Sequence, residues 1–253
     1  MEPIDVILKA SRRCAVSTTR KVPDKGKRMN VILFGATGMV GQAALRECLL
    51  DPEVKLVLSI VRNPTGQRDA KLRELVHSDL FDYSAIQTDL TGFDACFFCI
   101  GVTSAGMSEA QYTRVTHDLT LAAATTLAKL NPSMTFIYVS GSGTDSTERD
   151  RSMWARVKGK TENDILKLPF KAAYMFRPGF IQPLHGIVSK TTSYRIFYSA
   201  IKPFLPLMRK IFPTQIGTTE QIGRAMLLVV KHGFPRPVLE SKDINTLRPP
   251  SEK

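Results

Sequence analysis

The 253-residue chain has few cysteines, a single tryptophan and no uncharged apolar run long enough to span a membrane. A membrane helix needs about 18 or more such residues, so a spanning protein is not expected. The four cysteines stand at irregular intervals, which excludes a regular disulfide framework or zinc site: they are Cys14, Cys48, Cys96 and Cys99. We therefore expect no bound metal. We expect the cysteines to be small core residues of a reduced, cytoplasmic protein.

Acidic residues are also scarce, with 23 Asp and Glu against 35 Lys and Arg and a formal net charge of +12. The stretch from Ile165 to Thr219 holds eight Lys or Arg and no acid. Such one-sided charge predicts an anionic partner: a phosphorylated cofactor, an acidic substrate or a lipid surface. A solvated basic face is the alternative. No nucleic-acid recognition motif is present, so nucleic acid is not an expected partner.

The chain is expected to fold as one main domain with a basic extension. Residues 1–28 hold eight Lys or Arg and three Asp or Glu, and they lack the apolar core of a secretory signal. We predict a disordered N-terminal extension there, rather than the organelle-targeting peptide that an Arg-rich start can mimic. The folded domain is predicted at 29–247, with a small substrate lid around 180–218, and a tail at 248–253.

Short apolar runs alternate with helical patterns along the domain. The expected strands are Val31–Phe34, Lys55–Val61, Ala85–Thr88, Ala95–Ile100, Thr135–Val139 and Ala172–Phe176. The expected helices are Gly38–Leu50, Ala70–Ser78, Ser108–Leu130, Met153–Leu168 and Glu220–His232, the last with Thr219 as its N-cap. Continuously apolar strands that alternate with helices predict the α/β class, with a doubly wound parallel Rossmann-type sheet and a small C-terminal lid.

The strongest motif is the glycine-rich sequence Gly35–Gly41, which follows an apolar strand and opens a helix. Glycines in such a turn permit the tight bend, the approach of a pyrophosphate to the backbone and close helix–strand packing. The helix N-terminus adds free amides and the positive end of its dipole. The motif predicts dinucleotide binding by Gly35, Thr37, Gly38, Met39, Val40 and Gly41.

The spacing Gly-x-x-Gly-x-x-Gly resembles the extended and atypical short-chain dehydrogenase/reductases. The resemblance runs from Met29 to about Ile222 and is closest to the atypical branch that contains the Tat-interacting oxidoreductase and its bacterial relatives. Further resembling segments are Cys96–Gly101, Tyr138–Gly143, Val157–Glu162 and Phe176–Gly179. The resemblance implies a nicotinamide dinucleotide cofactor and a small-molecule substrate, without saying which substrate.

Arg62 follows the second expected strand, where NAD enzymes usually carry an acid that binds the ribose 2′-hydroxyl. A guanidinium there fits a 2′-phosphate, so we expect NADP(H) as the cofactor. A surface arginine at a strand end is the alternative. The resemblance implies further cofactor contacts at Asp89, Leu90, Gly101, Lys158, Pro178 and Gly179. Asp89 and Gly101 would also suit ordinary turns.

The resemblance also implies a Tyr-x-x-x-Lys catalytic pair, from which this chain departs. Lys158 stands at the lysine position, and Trp154 stands at the tyrosine position. An indole has no proton to give near neutral pH. Relatives usually have two adjacent serines here, and Gly141 stands in place of the second. Either Ser140 or Ser142 would therefore polarise the substrate oxygen. The alternative is that these serines only bond the backbone of the turn. The expected catalytic residues are therefore Lys158, Ser140 and Ser142, while His117 is expected to be structural.

Three functions are compatible with these residues. The first is an NADP(H)-dependent oxidoreductase of unknown substrate, whose proton comes from Tyr194, from Tyr198 or from a water held by Ser140. The second is a non-catalytic NADP(H)-sensing protein. The third, a nucleotide-sugar epimerase or dehydratase, is disfavoured because it needs the missing tyrosine.

The cationic, aromatic segment 194–212 is interpreted as a substrate lid, with an anionic membrane surface as the weaker alternative. Its two prolines, Pro203 and Pro206, exclude one long amphipathic helix.

Overall fold

The computed structural model describes residues 28–188 and 214–249. The strands in these ranges are β1 Met29–Phe34, β2 Val54–Val61, β3 Leu72–Val76, β4 Ala95–Phe98, β5 Thr135–Val139, β6 Ala172–Arg177, β7 Phe180–Gln182, β8 Ile216–Thr218 and β9 Val238–Glu240. The helices are α1 Met39–Leu50, a 3₁₀ helix Ser84–Leu90, α2 Glu109–Thr113, a π-helical turn Arg114–Asp118, α3 Leu119–Leu130, α4 Met153–Leu166, α5 Thr219–His232 and α6 Ser241–Thr246. The predicted extension up to residue 27, the segment 194–212 and the last four residues lie outside the described ranges.

Seven strands form the central sheet in the order β3-β2-β1-β4-β5-β6-β9. All neighbouring strands in it run parallel. The chain winds outward from β1 to β3 and then returns to the other side of β1 at β4. Such a reversal opens a crevice at the carboxyl ends of the strands. The predicted doubly wound, parallel Rossmann-type sheet is therefore confirmed, and β7 and β8 form a separate parallel pair.

Strand β1 shows why the central strands are apolar without interruption. Val31 and Leu33 pack into a core on one face, together with residues of α1 and α5. Ile32 and Phe34 pack into a second core on the opposite face, together with residues of α3. Because helices cover both faces, all four side chains are fully buried. Cys48 and Cys96 are buried in these cores as free thiols, as expected.

Two expected elements are wrong. The segment Ala70–Ser78, expected as a helix, contains strand β3 at the sheet edge, paired from Leu72 to Val76 with β2. Its apolar residues at 72, 75 and 76 fit a helical period, but the unpaired edge of β2 draws the segment into the sheet. The segment Ala85–Thr88, expected as a strand, lies within the 3₁₀ helix instead.

Helix α5 begins one residue earlier than expected, because Thr218 and not Thr219 is its N-cap. The Thr218 hydroxyl accepts from the Gln221 amide at 3.1 Å, and the Gln221 side chain accepts from the Thr218 amide at 2.9 Å. This reciprocal pair is a capping box. The Thr219 hydroxyl instead accepts from the amide of Leu184 at 3.0 Å, so it ties α5 to the segment after β7.

Candidate functional site

The turn between β1 and α1 is built around two glycines that the protein itself requires. Gly35 has a φ of +79°, and a Cβ on it would lie 2.8 Å from the carbonyl carbon and oxygen of Cys99. A Cβ on Gly41 would lie 2.0 Å from the Gly35 carbonyl oxygen. Neither position can carry a side chain, because Gly35 is packed against the backbone that follows β4 and Gly41 is packed against the backbone of the turn.

Gly38 differs, because the protein leaves room for a side chain there. A Cβ on Gly38 would meet only the Gly35 carbonyl oxygen, at 3.4 Å, which is ordinary contact. Gly38 is the N-cap of α1, no side chain caps the helix and no acid stands in its first turn. The N-terminus of α1 therefore presents its amides and its positive dipole end to the open space in front of Gly38.

That open space is a cleft of about 960 Å³ along the carboxyl ends of β1, β2, β4 and β5. It collects nine of the sequence-predicted site residues: Gly35, Thr37, Gly38, Met39, Val40, Arg62, Gly101, Ser140 and Lys158. Arg62 and Lys158 are the two cations among the described lining residues, and neither Asp nor Glu is among them. The cleft is thus suited to a ligand that carries several negative charges.

Six predicted site residues do not line the cleft: Gly41, Asp89, Leu90, Ser142, Pro178 and Gly179. Asp89 accepts a hydrogen bond from Arg73 at 2.5 Å. Leu90 is fully buried in the core. Pro178 and Gly179 contact other loops: the Pro178 carbonyl accepts from the Ser142 amide at 2.9 Å, and the Gly179 amide donates to Ser241 at 3.1 Å. The catalytic role of Ser142 and the cofactor contacts of the other five residues stay predictions.

Arg62 lies at the β2 end of the cleft, with its side chain exposed. The neighbouring strand β3 carries an acid, Glu74, which is engaged by Thr65: the Thr65 amide donates to Glu74 at 3.1 Å, and so does the Thr65 hydroxyl. The carboxylate therefore holds the loop after β2 in place. Arg62 remains exposed at the rim of the cleft.

Lys158 lies on α4, and its ammonium reaches the opposite end of the cleft, beside the carboxyl end of β5. Its Nζ donates to the backbone carbonyl of Ser140. Burial lowers the pKa of this ammonium, and the negative charge of Glu162 partly opposes that shift. The Nζ also lies 5.9 Å from the ring centroid of Trp154. Residues 154 and 158 thus share one face of α4, as their spacing predicts.

Trp154 is half-buried and packs beside the turn after β5. A Cβ on Gly143 would lie 3.0 Å from the indole Cη2 atom, so the ring rests against the backbone of that glycine. The indole is not among the residues that line the cleft. Its position next to Lys158 makes it a neighbour of the cleft.

The Ser140 hydroxyl is committed to an interaction within the protein. Ser140 is 3% exposed, and its Oγ donates to the Glu162 carboxylate at 2.5 Å, with the Phe176 carbonyl oxygen 3.2 Å away. Ser142 is exposed and lies outside the cleft lining. Between them, Gly141 offers no side chain: a Cβ there would lie 3.7 Å from Lys158 Nζ. The backbone of Ser140, and not its hydroxyl, is what contacts Lys158.

Sequence reasoning missed a buried ion pair beneath the site. Glu162 is fully buried, and it accepts from Arg177 Nε at 3.0 Å and from Arg177 Nη2 at 2.5 Å. Arg177 also donates to Ser146 at 2.5 Å and to Glu240 at 3.0 Å. Glu162 and Arg177 both lie in the segments that resemble the family, so the sequence did mark them as candidates. Their spacing in the sequence does not reveal that they form an ion pair. The pair joins α4 to the carboxyl ends of β5, β6 and β9.

His117 is structural in its contacts, as expected. Its Nε2 lies 2.9 Å from Asp164 and its Nδ1 lies 2.8 Å from Asp118. Among the described residues no group of His, Cys, Asp or Glu could hold a metal ion. None of the described helices is both long and apolar enough to cross a membrane.

A family model for NAD(P)H binding matches residues 35–167, which is just over half of the chain. The chain belongs to this NAD(P)H-binding family. The match begins at the first glycine of the turn and ends after α4, so it covers both ends of the cleft.

Among its curated relatives is "Protein FMP52, mitochondrial" of Saccharomyces cerevisiae, 32% identical over 162 residues, which cover 62% of this chain and 67% of the relative. "Protein fmp52, mitochondrial" of Emericella nidulans is 31% identical over 159 residues, which cover 60% of this chain and 66% of the relative. The match thus spans just under two thirds of the latter protein. These names contradict the expectation of a cytoplasmic protein, which is wrong.

Solved structures similar to this NAD(P)H-binding protein include a short-chain dehydrogenase family protein from Francisella tularensis, with a TM-score of 0.59, 14% identity and coverage of 84% of this chain and 96% of that chain. The enzyme WbmG of Bordetella bronchiseptica in complex with NAD gives a TM-score of 0.61 at 13% identity, covering 85% of this chain and 73% of that chain. At these identities the likeness shows the fold. The fold is the one that the resemblance to the short-chain dehydrogenase/reductases implied, and the family match shows the NAD(P)H-binding family.

Proposed function

We propose that this protein binds NADP(H) and acts as an oxidoreductase on a small carbonyl or hydroxyl compound. The observation that carries the proposal is the composition of the cleft. Its described lining combines a capless helix N-terminus, one cation at each end and no acid. A phosphorylated dinucleotide, with its pyrophosphate in the middle and a phosphorylated ribose at one end, matches that order of charges.

Pyrophosphate binding is proposed for the turn at the start of α1. Gly35 and Gly41 are explained by contacts within the protein, but the room around Gly38 is not. A glycine at Gly38 is instead explained if a ligand fills the space where a Cβ would project. The residues present therefore fit the group, and Gly38, Met39 and Val40 would hold it through the N-terminus of α1.

Selectivity for the 2′-phosphate is proposed for Arg62. Its exposed guanidinium stands at the end of β2, where it can form a bidentate pair with a phosphate. The one acid described above on β3, Glu74, is held by Thr65. The Glu74 carboxylate is thus bonded to Thr65 and is not available to accept a hydrogen bond from the free ribose 2′-hydroxyl of NAD(H).

The opposite end of the cleft is proposed to hold the nicotinamide ribose through Lys158. When bound, the nicotinamide supplies or accepts the hydride of an oxidation–reduction reaction. The Ser140 carbonyl orients the Lys158 ammonium, and the buried Glu162–Arg177 pair holds Ser140 in turn. This chain of contacts keeps the cation at a constant position beside the carboxyl end of β5.

Calorimetric titration with NADPH and NADH tests the proposed cofactor. We expect NADPH to bind about 10-fold or more tightly than NADH, because a charged bidentate contact contributes ~1.5–3 kcal/mol. Equal affinities would refute the role of Arg62, and no binding of either dinucleotide would refute the proposed function.

A non-catalytic NADP(H)-sensing role is the second candidate, and specific observations favour it. Trp154 replaces the tyrosine that the resemblance implies, Gly141 has no hydroxyl to offer and the Ser140 hydroxyl bonds Glu162. Turnover of NADPH with a panel of aldehydes, ketones and quinones separates the two roles. Binding without turnover on any of these compounds would favour the sensor.

We further propose that the protein resides in mitochondria, as the names of its relatives state for those proteins. The basic residues 1–28 would direct it there. A fluorescent protein fused to residues 1–28 should enter mitochondria, while the same fusion with its eight Lys and Arg changed to Gln should not. Equal distributions of the two fusions would contradict the targeting role.

A further inference from the structure

We propose that Lys158 is itself the acid of the reaction and gives its proton directly to the substrate oxygen. The proposal rests on the oxidoreductase function proposed above. In it, the lysine takes over a task for which this chain has no tyrosine at position 154.

Three described lining residues carry titratable groups: Arg62, Cys99 and Lys158. The Arg62 guanidinium stands at the other end of the cleft and does not release its proton in proteins. Burial raises the pKa of the Cys99 thiol to about 12, so the thiol keeps its proton at neutral pH. Lys158 is the one that remains.

The described tyrosines do not reach the cleft. Four of them, Tyr83, Tyr112, Tyr138 and Tyr174, are at most 9% exposed, and none is among the lining residues. Tyr138 bonds Thr161, and the Tyr174 hydroxyl accepts from the Phe234 amide at 3.1 Å. The other two tyrosines, at 194 and 198, fall outside the described ranges and are addressed by the experiment.

A water held by the Ser140 hydroxyl is also disfavoured. That hydroxyl has one hydrogen, and it is directed to the Glu162 carboxylate at 2.5 Å. Ser140 is only 3% exposed, so the hydroxyl presents little surface to the cleft and has no hydrogen left to donate to a water there. Ser140 therefore acts on the site through its carbonyl group, which holds Lys158.

The geometry of Lys158 suits an acid. An ammonium has three N–H groups, and one of them donates to the Ser140 carbonyl, which leaves two for the cleft. A Cβ on residue 141 would lie 3.7 Å from Lys158 Nζ and would fill the space beside it. Because residue 141 is glycine, that space is open. A substrate oxygen can occupy that space within hydrogen-bond distance of Nζ. Burial also lowers the pKa of this ammonium, which brings proton release closer to neutral pH.

The proton balance of a reduction is complete with these groups. The reduced nicotinamide would lose a hydride from its C–H bond and be oxidised, and the carbonyl carbon would gain that hydride as the C=O π bond opens. The carbonyl oxygen gains an O–H bond as the Nζ–H bond of Lys158 breaks. The lysine is left as a neutral amine and regains its proton from water. In the oxidative direction, the neutral amine accepts the hydroxyl proton.

The first measurement concerns the lysine alone and needs no turnover. With ¹³C- and ¹⁵N-labelled lysine, the Lys158 Cε resonance is followed against pH in the free protein and in its NADPH complex. We expect a pKa below the ordinary value of about 10.4 in both. The Lys158→Met variant assigns the signal. A Lys158 pKa at or above the ordinary value in the complex would overturn the proposal.

The second measurement is the pH dependence of carbonyl reduction. The rate should fall as pH rises through the measured Lys158 pKa, because only the protonated form can donate. Lys158→Arg keeps the positive charge but cannot give up a proton, so it should lower kcat by about 10²-fold or more while NADPH affinity changes little. Lys160→Arg, an exposed neighbour bonded to Asp164 at 3.0 Å, is the matched control and should retain the rate.

Two results on turnover would overturn the proposal while the cofactor function stands. One is an unchanged kcat in Lys158→Arg. The other is loss of kcat in the double variant Tyr194→Phe, Tyr198→Phe with NADPH affinity retained. Failure of the unmodified protein to reduce any carbonyl compound would also overturn it. Failure to bind NADPH at all would instead refute the proposed function itself.

Discussion

Among single residues, three positions shape the site: two glycines leave space for a ligand, and one arginine exposes its charge. Gly38 leaves room in front of the α1 N-terminus, and Gly141 leaves room beside Lys158. Arg62 stands exposed at the far end of the cleft. Each position makes a separate contribution to binding, so each can be tested by a separate substitution.

The change Arg62→Gln should reduce NADPH affinity by about 10- to 100-fold and leave NADH affinity nearly unchanged. The physical reason is the loss of a charged contact of ~1.5–3 kcal/mol to the 2′-phosphate. The matched control is Arg68→Gln, because Arg68 is exposed in the same loop but does not line the cleft. Calorimetric titration of the unmodified protein and of the two variants measures the NADPH affinities. An equal loss of NADPH affinity in both variants would indicate a general effect of charge and not a specific contact of Arg62.

The change Gly38→Val should abolish dinucleotide binding in a protein that still folds. The valine fits the protein, since its Cβ would meet only the Gly35 carbonyl oxygen at 3.4 Å, but it fills the space proposed for pyrophosphate. Gly41→Val provides the contrast, because its Cβ would lie 2.0 Å from the same oxygen and should lower the melting temperature. Retained NADPH affinity in folded Gly38→Val would show that the turn is purely structural.

At the scale of elements, α4 connects the cleft to the core beneath it. One face carries Trp154 and Lys158 at a spacing of four residues, and one turn later Glu162 enters the core to meet Ser140 and Arg177. The helix therefore places the cation of the site and one partner of the buried ion pair on successive turns. A change at Glu162 should lower the stability and also disturb Lys158, because Glu162 bonds Ser140 and the Ser140 carbonyl holds Lys158.

Trp154 offers an optical test, because it is the chain's only tryptophan. With its ring 5.9 Å from Lys158 Nζ, NADPH bound near that lysine should quench the indole emission and receive its energy. Trp154→Tyr would put a phenol at four-residue spacing from Lys158 and should raise reductase activity. Emission that stays constant at saturating NADPH would show that the nicotinamide does not lie near α4.

The change Glu162→Ala should destabilise the fold by about 3–5 kcal/mol, because it leaves the Arg177 guanidinium without its buried partner. A melting curve or a urea titration measures the loss. Glu109→Ala serves as the surface comparison, since Glu109 is exposed and pairs with Arg156 at 2.6 Å, a type of contact that contributes about 1 kcal/mol or less. Equal effects of the two substitutions would contradict the structural role assigned to Glu162.

At the scale of the whole molecule, the sheet carries the fold and its carboxyl edge carries the site. The seven parallel strands begin at Met29 and end at Glu240, all within the described residues. Helices α1 and α5 cover one face and α3 covers the other.

Removal of residues 1–27 should therefore leave both the melting temperature and the NADPH affinity nearly unchanged. The reason is that the core and the cleft lining, as far as they are described, lie between residues 29 and 247. Thermal denaturation and calorimetry of the shortened and full-length proteins provide the comparison. A shortened protein that fails to fold would refute the predicted domain boundary.

The features of this protein that depend on short-range patterns were readable from the amino-acid sequence. The strand Val31–Phe34, the turn Gly35–Gly41 and the helix after it were all predictable, because apolar residues buried on both faces and closely spaced glycines leave few alternatives. The same holds for Trp154 and Lys158, which share a face of one helix whatever packs around it.

The contacts between distant segments became known from the folded structure. Whether Leu72–Val76 became a helix or a strand depended on the free edge of β2, and the direction of the Ser140 hydroxyl depended on Glu162, 22 residues away. The pairing of Glu162 with Arg177 depended likewise on the order of strands in the sheet. Local propensity cannot report such contacts, because their free energy arises only when the sheet brings the partners together.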